Sequence, residues 1–300
     1  MPTLKEIKGR IASVRNTLKI TSAMKLVSSA KLRKAQTAIE NMRPYEEQLQ
    51  AILASAGGAS CTKTPDLVHD LPENAASCTK TPGLVHEPRA IIAIASNSSL
   101  CGSFNTNAIA KVRSVRGEGD TVYSIGRKMA DAMRRDGFPS PEDFTALSEH
   151  PSFAPAAALA EKLAVEVEQG RISQVLLVYN HFVSTARQTP VVEVLLGADL
   201  SAQAPQEDKM GGSEESSDVI IEPSRKELLK VLIPKTVKLK LYAALLDSAA
   251  AEHAARTVAM QTATDNAENL LAELTLQYNK GRQQKITSEI LDLAGGQANQ

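Results

Sequence analysis

LKLYAALLDSAAAEHAARTVAMQTATDNAENLLAELTLQYNKGRQQKITSEILDLAGG, residues 239–296, is the stretch whose reading decides the fold. Between Pro234 and Gly295 it holds no further proline and a single glycine, Gly281. Ala, Leu, Glu, Gln and Lys dominate, all strong helix formers. Pro234 marks the predicted start and the Gly295-Gly296 pair the stop. Apolar or small residues recur at steps of three and four: Leu239, Tyr242, Leu246, Ala249, then Met260, Ala263, Ala267, Leu270 and Leu274. That is a heptad-like seam. At 1.5 Å per residue the helix would run roughly 85–90 Å, far beyond the ~30 Å of a small domain. A helix that long needs a partner along its length.

The partner is read at the other end of the chain. Thr3 and Glu6 fit a capping box. Behind them Leu4, Ile7, Ile11, Val14 and Leu18 open a heptad that continues through Thr21, Lys25, Ser28, Leu32, Ala35, Ile39 and Met42. This helix is expected to reach about Ala56, roughly 80 Å, with a kink or pause at Pro44. Two long helices at opposite termini predict an antiparallel coiled coil, closed by everything between them. A seven-residue period predicts a left-handed supercoil. The alanines at 249–251 and 254–255 let the helices approach closely.

The chain has 300 residues, 43% of them apolar, enough for one or two domains with a real core. No apolar run reaches the ~18–20 residues of a membrane-spanning helix, and Met1 abuts the capped first helix rather than a signal sequence. The expectation is a chain kept in the cytosol. Three cysteines, at 61, 78 and 101, do not make a disulfide framework. Formal net charge is +0, yet residues 1–35 hold nine Lys or Arg against Glu6 alone. Such a run suits a solvated face or an anionic partner. It carries no aromatic to stack on bases, so an acidic protein surface fits better than nucleic acid.

Residues 57–88 change character. ASCTKTPDLVHD at 59–70 recurs as ASCTKTPGLVHE at 76–87, a tandem duplication in a proline-bearing loop. It yields Cys61, Cys78, His69 and His86 by copying, without the tight pairs of a zinc site, so no metal is assigned. From Arg89 the pattern becomes α/β: strands at 89–95, Thr121–Ile125, Val175–Asn180 and Pro190–Leu196, and helices near Asn105–Val115, 127–136 and Phe153–Glu168. This alternation predicts a Rossmann-like, mainly parallel sheet domain inserted between the long helices. Residues 198–217 form an acidic loop, and Ser224 with Glu227 caps a short helix ending before Pro234. The predicted organisation is therefore 1–56 shaft helix, 57–88 duplicated insertion, 89–197 α/β domain, 198–234 loop and short helix, 235–300 shaft helix.

A Rossmann-like domain raises the possibility of a nucleotide enzyme. Its first strand-to-helix turn reads SNSSLCGSFN, with only Gly102, so it lacks the glycines that let a pyrophosphate reach the backbone. No phosphate loop of the Gly-x-x-x-x-Gly-Lys type is present. Cys101 at the helix start reads as small apolar packing. No catalytic residues, cofactor or metal are predicted. A mechanical shaft and a coiled-coil scaffold or tether remain as alternatives to an enzyme.

ARTVAMQTATDNAENLL (255–271), LTLQYNKGRQQKITSEI (274–290) and IKGRIASVRNTLKITSAMKLVSSAKLRKA (7–35) closely resemble the γ subunits of rotary F-type ATP synthases, and the likeness covers nearly the whole chain. The resemblance implies a central-stalk rotor inside a ring of α and β subunits, with the ε subunit and the c-ring of the membrane sector as further partners. It implies a peripheral location on the cytoplasmic face of a bacterial inner membrane. It implies coupling of proton flow to ATP chemistry performed by the ring, not by this chain. Family motifs place Met24 and Lys25 on the first helix, and Arg256, Arg282, Gln283 and Thr287 on the last, at contacts with β. The forked donors of Arg282 suit a carboxylate-rich loop. At the first turn the family usually has Arg/Lys-Gly-Leu-Cys-Gly. Here Leu100-Cys101-Gly102 is kept and Ser98-Ser99 departs, which removes any contact made through that basic residue.

Overall fold

The computed structural model describes residues 3–55, 88–197 and 224–297. The duplicated insertion and the acidic loop lie outside the described residues. The chain divides into two compact units, a helical unit of Met1–Ala30 with Arg256–Gln300 and a sheet unit of Lys31–Ala255. Helix α1 (Leu4–Ser55) and helix α6 (Arg225–Gln297) run through both. Between them come β1 (Ala90–Ile94), α2 (Phe104–Val115), β2 (Thr121–Ile125), α3 (Arg127–Arg135), α4 (Thr145–Glu149), α5 (Phe153–Glu168), β3 (Gln174–Phe182) and β4 (Gln188–Gly197).

In the sheet unit the strand order is β2-β1-β3-β4. β1 pairs in parallel with β2 and β3, and β4 returns antiparallel on β3. The parallel centre explains why β1 reads as the unbroken apolar run AIIAI. Both its faces are covered, and all five residues are buried. Alternation along the strands sorts the core into two layers. Ile91 and Ala93 face α2 and α3, among Ala108, Val112, Met129 and Met133. Ile92 and Ile94 face the other side, among Leu159 and Leu163 of α5 and Val237, Leu241, Ala244 and Leu245 of α6. At about 1.5–3 kcal/mol for each large apolar side chain, this layer fastens α6 to the sheet.

Within the same unit α6 is used on its other sides too. Leu229, Leu232 and Leu239 pack with Leu49 and Leu53 of α1, Ala250 and Ala254 with Leu32, and Ala251 and Ala255 with Cys101 and Phe104. The alanine run is what lets one helix fit snugly between two neighbours. Polar ties reinforce it. Asp247 accepts from the Phe182 backbone N–H (3.1 Å) and sits 2.6 Å from His181 Nδ1. Lys240 reaches Glu193 (3.2 Å), which also accepts from the Tyr179 hydroxyl (2.9 Å). Asp120, its side chain 0% exposed, gathers the Arg89 guanidinium and backbone N–H together with the Gly117 N–H.

Two boundaries differ from the sequence reading. The last helix does not start at Pro234. It starts at Arg225, just after Ser224, whose hydroxyl accepts from the Glu227 N–H (3.3 Å), and Pro234 lies inside it. α1 likewise continues through Pro44. A proline removes one helical hydrogen bond, and here the leucines of α1 and α6 on either side hold the turns in place. The expected short helix and the shaft helix are one. The far end runs to Gln297, past Gly295-Gly296.

In the helical unit α1 and α6 are antiparallel. Leu4 meets Gly281, Thr21 meets Thr264 and Lys25 meets Gln261, so a step along one helix matches an equal step back along the other. The capping box is formed: the Thr3 N–H donates to Glu6 (3.0 Å) and the Glu6 N–H to Thr3 Oγ1 (3.3 Å). Every position named for the α1 seam is buried or half-buried. On α6 the seam is Met260, Thr264, Ala267, Leu271, Leu274, Tyr278 and Gly281. Leu270, expected there, is 44% exposed instead. Leu270 and Leu271 are adjacent, and only the strict three-four alternation from Met260 selects the second.

Candidate contact surface

The β1–α2 turn is where a nucleotide would sit in a Rossmann-like domain. Here Ser96, Asn97 and Asn105 are taken up by local hydrogen bonds. The Ser96 N–H donates to Asn105 Oδ1 (3.0 Å), and the Ser96 hydroxyl donates to the Ser98 carbonyl (2.6 Å) and lies 2.9 Å from Asn105 Oδ1. Asn97 accepts from the Arg127 N–H (2.9 Å) and donates to the Thr145 carbonyl (2.9 Å). Cys101 is 1% exposed and packs with Phe104, Ala251 and Ala255, the small apolar role expected of it. Gly126, which the sequence did not single out, has φ +101, and a Cβ there would lie 2.1 Å from the Ala95 carbonyl oxygen. This glycine allows the close approach of the Ala95 backbone. A cavity of about 540 Å³ between α4 and α5 has an apolar floor of Phe144, Leu147 and Leu159 and a rim of Glu142, His150 and Lys162, with Lys162 paired to Glu142. Among the described residues no cluster of metal-binding side chains occurs.

The residues singled out for partner contact lie on α1 and α6. Met24 and the seam residue Lys25 are half-buried, and Lys25 Nζ donates to Gln261 Oε1 at 2.7 Å. Arg282, Gln283 and Thr287 are exposed on one stretch of α6, where Thr287 Oγ1 donates back to the Gln283 carbonyl (2.9 Å). Arg256 is different. Expected at a contact with β, it is only 8% exposed, with Ala255 at 9% and Met260 at 4%.

The strongest feature went unread in the sequence. The helix pairing places Leu4 opposite Gly281, and beyond that level every residue of α6 from Arg282 to Leu291 is exposed. Among them Ile286, Ile290 and Leu291 are 45%, 59% and 65% exposed, with Lys285 and Glu289 paired alongside at 3.6 Å. On α1, Ile20, Leu26 and Val27 are 60%, 68% and 57% exposed, flanking Met24 and Lys25. Large apolar groups gathered on bare helix mark a surface made for a partner. The clue was available in the register: a seam that begins at Leu4 cannot cover α6 beyond Gly281.

The geometry can be set beside known proteins. A family pattern described as ATP synthase matches residues 3–299. The chain is 46% identical over 304 residues to the ATP synthase gamma chain of Phocaeicola vulgatus, covering 99% of each. It is 45% identical over 308 residues to that of Bacteroides thetaiotaomicron, again covering 99% of each. Among solved structures it is similar to a chain in the cryo-EM structure of Euglena gracilis mitochondrial ATP synthase, OSCP/F1/c-ring, rotational state 3. That match has a TM-score of 0.67 at 20% identity, covering 99% of this chain and 94% of that one. At that identity the likeness concerns the fold.

Proposed function

The chain belongs to the ATP synthase gamma-chain family, and from that premise we propose how it works as the rotor subunit of the central stalk. The observation that carries the mechanism is the bare end of α6: exposed from Arg282 to Leu291, with three large apolar side chains and no α1 beside it. In water such a segment stays helical poorly by itself. Enclosed by a ring of α and β subunits, its apolar side chains would bear on the ring's inner wall. Arg282, Gln283 and Thr287 on α6, with Met24 and Lys25 on α1, would be the polar contacts through which shaft and β subunits push on each other. Arg256, buried, is assigned to holding the helices rather than to the partner.

The chain performs no ATP chemistry in this reading. The β1–α2 turn supports that, since its only glycine is Gly102 and it lacks the glycine-rich loop that cradles a pyrophosphate. Nucleotide sites would reside in the ring, and the chain transmits rotation driven by proton flow. The sheet unit is the base, fitted to the ε subunit and the c-ring. No described helix is long and apolar enough to cross a membrane. Attachment at the cytoplasmic face of the inner membrane would therefore come through the complex.

Arg282→Ala tests the contact assignment. An exposed helix charge contributes under ~0.5 kcal/mol to stability, so the free chain should melt as before. In the complex the loss of a charge-assisted contact, about 1–3 kcal/mol, should slow proton-driven ATP synthesis by reconstituted enzyme. Unchanged synthesis together with a large fall in melting temperature would make Arg282 a structural residue.

A further inference from the structure

Resting on that contact role for Lys25, we infer that Gln261 is a positioning residue: it holds the Lys25 ammonium in place for an acidic segment of the surrounding ring, and is itself braced by Asp265.

Three side chains form a line across the helix pair. Lys25 Nζ donates to Gln261 Oε1 at 2.7 Å, and Gln261 Nε2 donates to Asp265 Oδ1 at 2.7 Å. The chemistry of the ends fixes the middle. An ammonium can only donate and a carboxylate can only accept, so the Gln261 amide must turn its oxygen to Lys25 and its nitrogen to Asp265. No charged side chain can serve in this position. A carboxylate at 261 would pair with Lys25 but repel Asp265, and a cation would do the reverse.

The register of the line is set underneath it. Thr21, one turn before Lys25 on α1, is 8% exposed, and Thr264, between Gln261 and Asp265 on the scale of one turn of α6, is 7% exposed. Thr264 Oγ1 donates to Thr21 Oγ1 at 3.0 Å and also lies 2.8 Å from the Met260 carbonyl. A buried polar pair in a helix seam fixes how two helices slide past each other. With the threonines matched, Lys25 and Gln261 meet on the outer edge of the pair.

A free lysine samples many rotamers, and ordering it on contact costs entropy. Here one of its three donors is spent on Gln261, and the other two remain for the partner. Asp265 stays one amide away, so it orients the ammonium without neutralising it through a direct ion pair. The ring therefore meets a cation already held near its working place, with Ile20 and Val27 exposed nearby on the same helix.

The test is a double-mutant cycle in the complete complex: parent, Lys25→Met, Gln261→Leu and both together. The rate of ATP synthesis is read at a fixed proton-motive force, and the melting of each free chain is measured alongside. Lys25→Met should slow synthesis about two- to fivefold, the range carried by an exposed charged contact. Gln261→Leu should cause part of that loss, and the double variant should be no slower than Lys25→Met, because Gln261 acts only through the lysine. All four free chains should melt alike. A Gln261→Leu complex as fast as the parent, or a loss that adds in full to that of Lys25→Met, would overturn the positioning role while leaving the lysine contact intact. A Lys25→Met complex with undiminished synthesis would overturn the contact on which the role rests.

Discussion

The middle of α6 and its far end are one helix in opposite surroundings. Around Leu241–Ala255 it is covered by the sheet, by α1 and by α2, and Leu241, Ala250, Ala251 and Ala254 are all 0% exposed. From Arg282 to Leu291 every residue is open to solvent. Residue type explains part of this contrast, since 241–255 is rich in Leu and Ala and 282–291 is mostly polar, but it does not explain why Ile286, Ile290 and Leu291 are left uncovered. The first stretch spends its side chains on the chain's own stability. The second keeps them for another molecule, so substitutions should separate along the same line: the middle read by stability of the free chain, the end read by behaviour of the complex.

The widest separation should come from matched leucines. Leu241→Ala removes a fully buried side chain from the layer between α6 and the sheet and should cost the free chain about 3–4 kcal/mol. Leu291→Ala, at an exposed position, should stay within ~0.5 kcal/mol. Urea unfolding of both variants checks the pair, and equal shifts in midpoint would erase the distinction. Next in size is Asp120→Ala in the sheet unit. It removes the carboxylate from Arg89, which keeps the Val115 carbonyl, and leaves the Gly117 and Arg89 backbone N–H groups without their acceptor, a loss of about 2–3 kcal/mol. The same unfolding measurement should show it.

A smaller effect depends on pH. The hydrogen bond to Asp247, aided by the charges of Asp247 and Glu193 against the opposing effect of burial, raises the His181 pKa above its ordinary 6.5. The folded state therefore binds the proton more tightly than the unfolded chain. The resulting stability is complete below pH 6.5 and is lost as pH rises through the elevated folded value. His181→Gln should thus cost more at about pH 5.5 than at about pH 9 when unfolding midpoints are compared with the parent. A difference that grows with pH would mean that His181 is held neutral.

Smallest is a gain at the edge of the bare segment. Gly281 occupies a seam position, and an added Cβ would stand 3.2 Å from Leu4 Cδ2, the end of a flexible side chain. Leu4 can shift by a few tenths of an ångström, so Gly281→Ala should keep most of the ~1 kcal/mol gain in helix propensity. A lower melting temperature would show that Leu4 cannot move.

Much of this was legible in the residues. β2 at Thr121–Ile125 and α5 at Phe153–Glu168 fall where the patterns place them, because burial on a sheet and Leu/Ala spacing on a helix leave few alternatives. The α1 seam was legible for the same reason. The merger of two helices through Pro234 was not, because proline's local cost is offset by contacts distant in sequence. α4, five residues long, has too few turns to show a period. The choice of Leu271 over Leu270 needed the partner's register. So did the meeting of Lys25 with Gln261, which no local pattern brings together. Among the residues expected at contacts, Arg256 looked like its neighbours on paper, and only packing shows it to be buried.

Rotation is the most direct test of the account. With the ring fixed to a surface and a probe attached at Glu118→Cys on the exposed α2–β2 loop, after replacement of the native cysteines, ATP should drive sustained turning of the sheet unit in one direction. Arg282→Ala should weaken that turning under load. Sustained ATP hydrolysis by an assembled complex in which the probe stays still would contradict the assignment of this chain as the moving shaft.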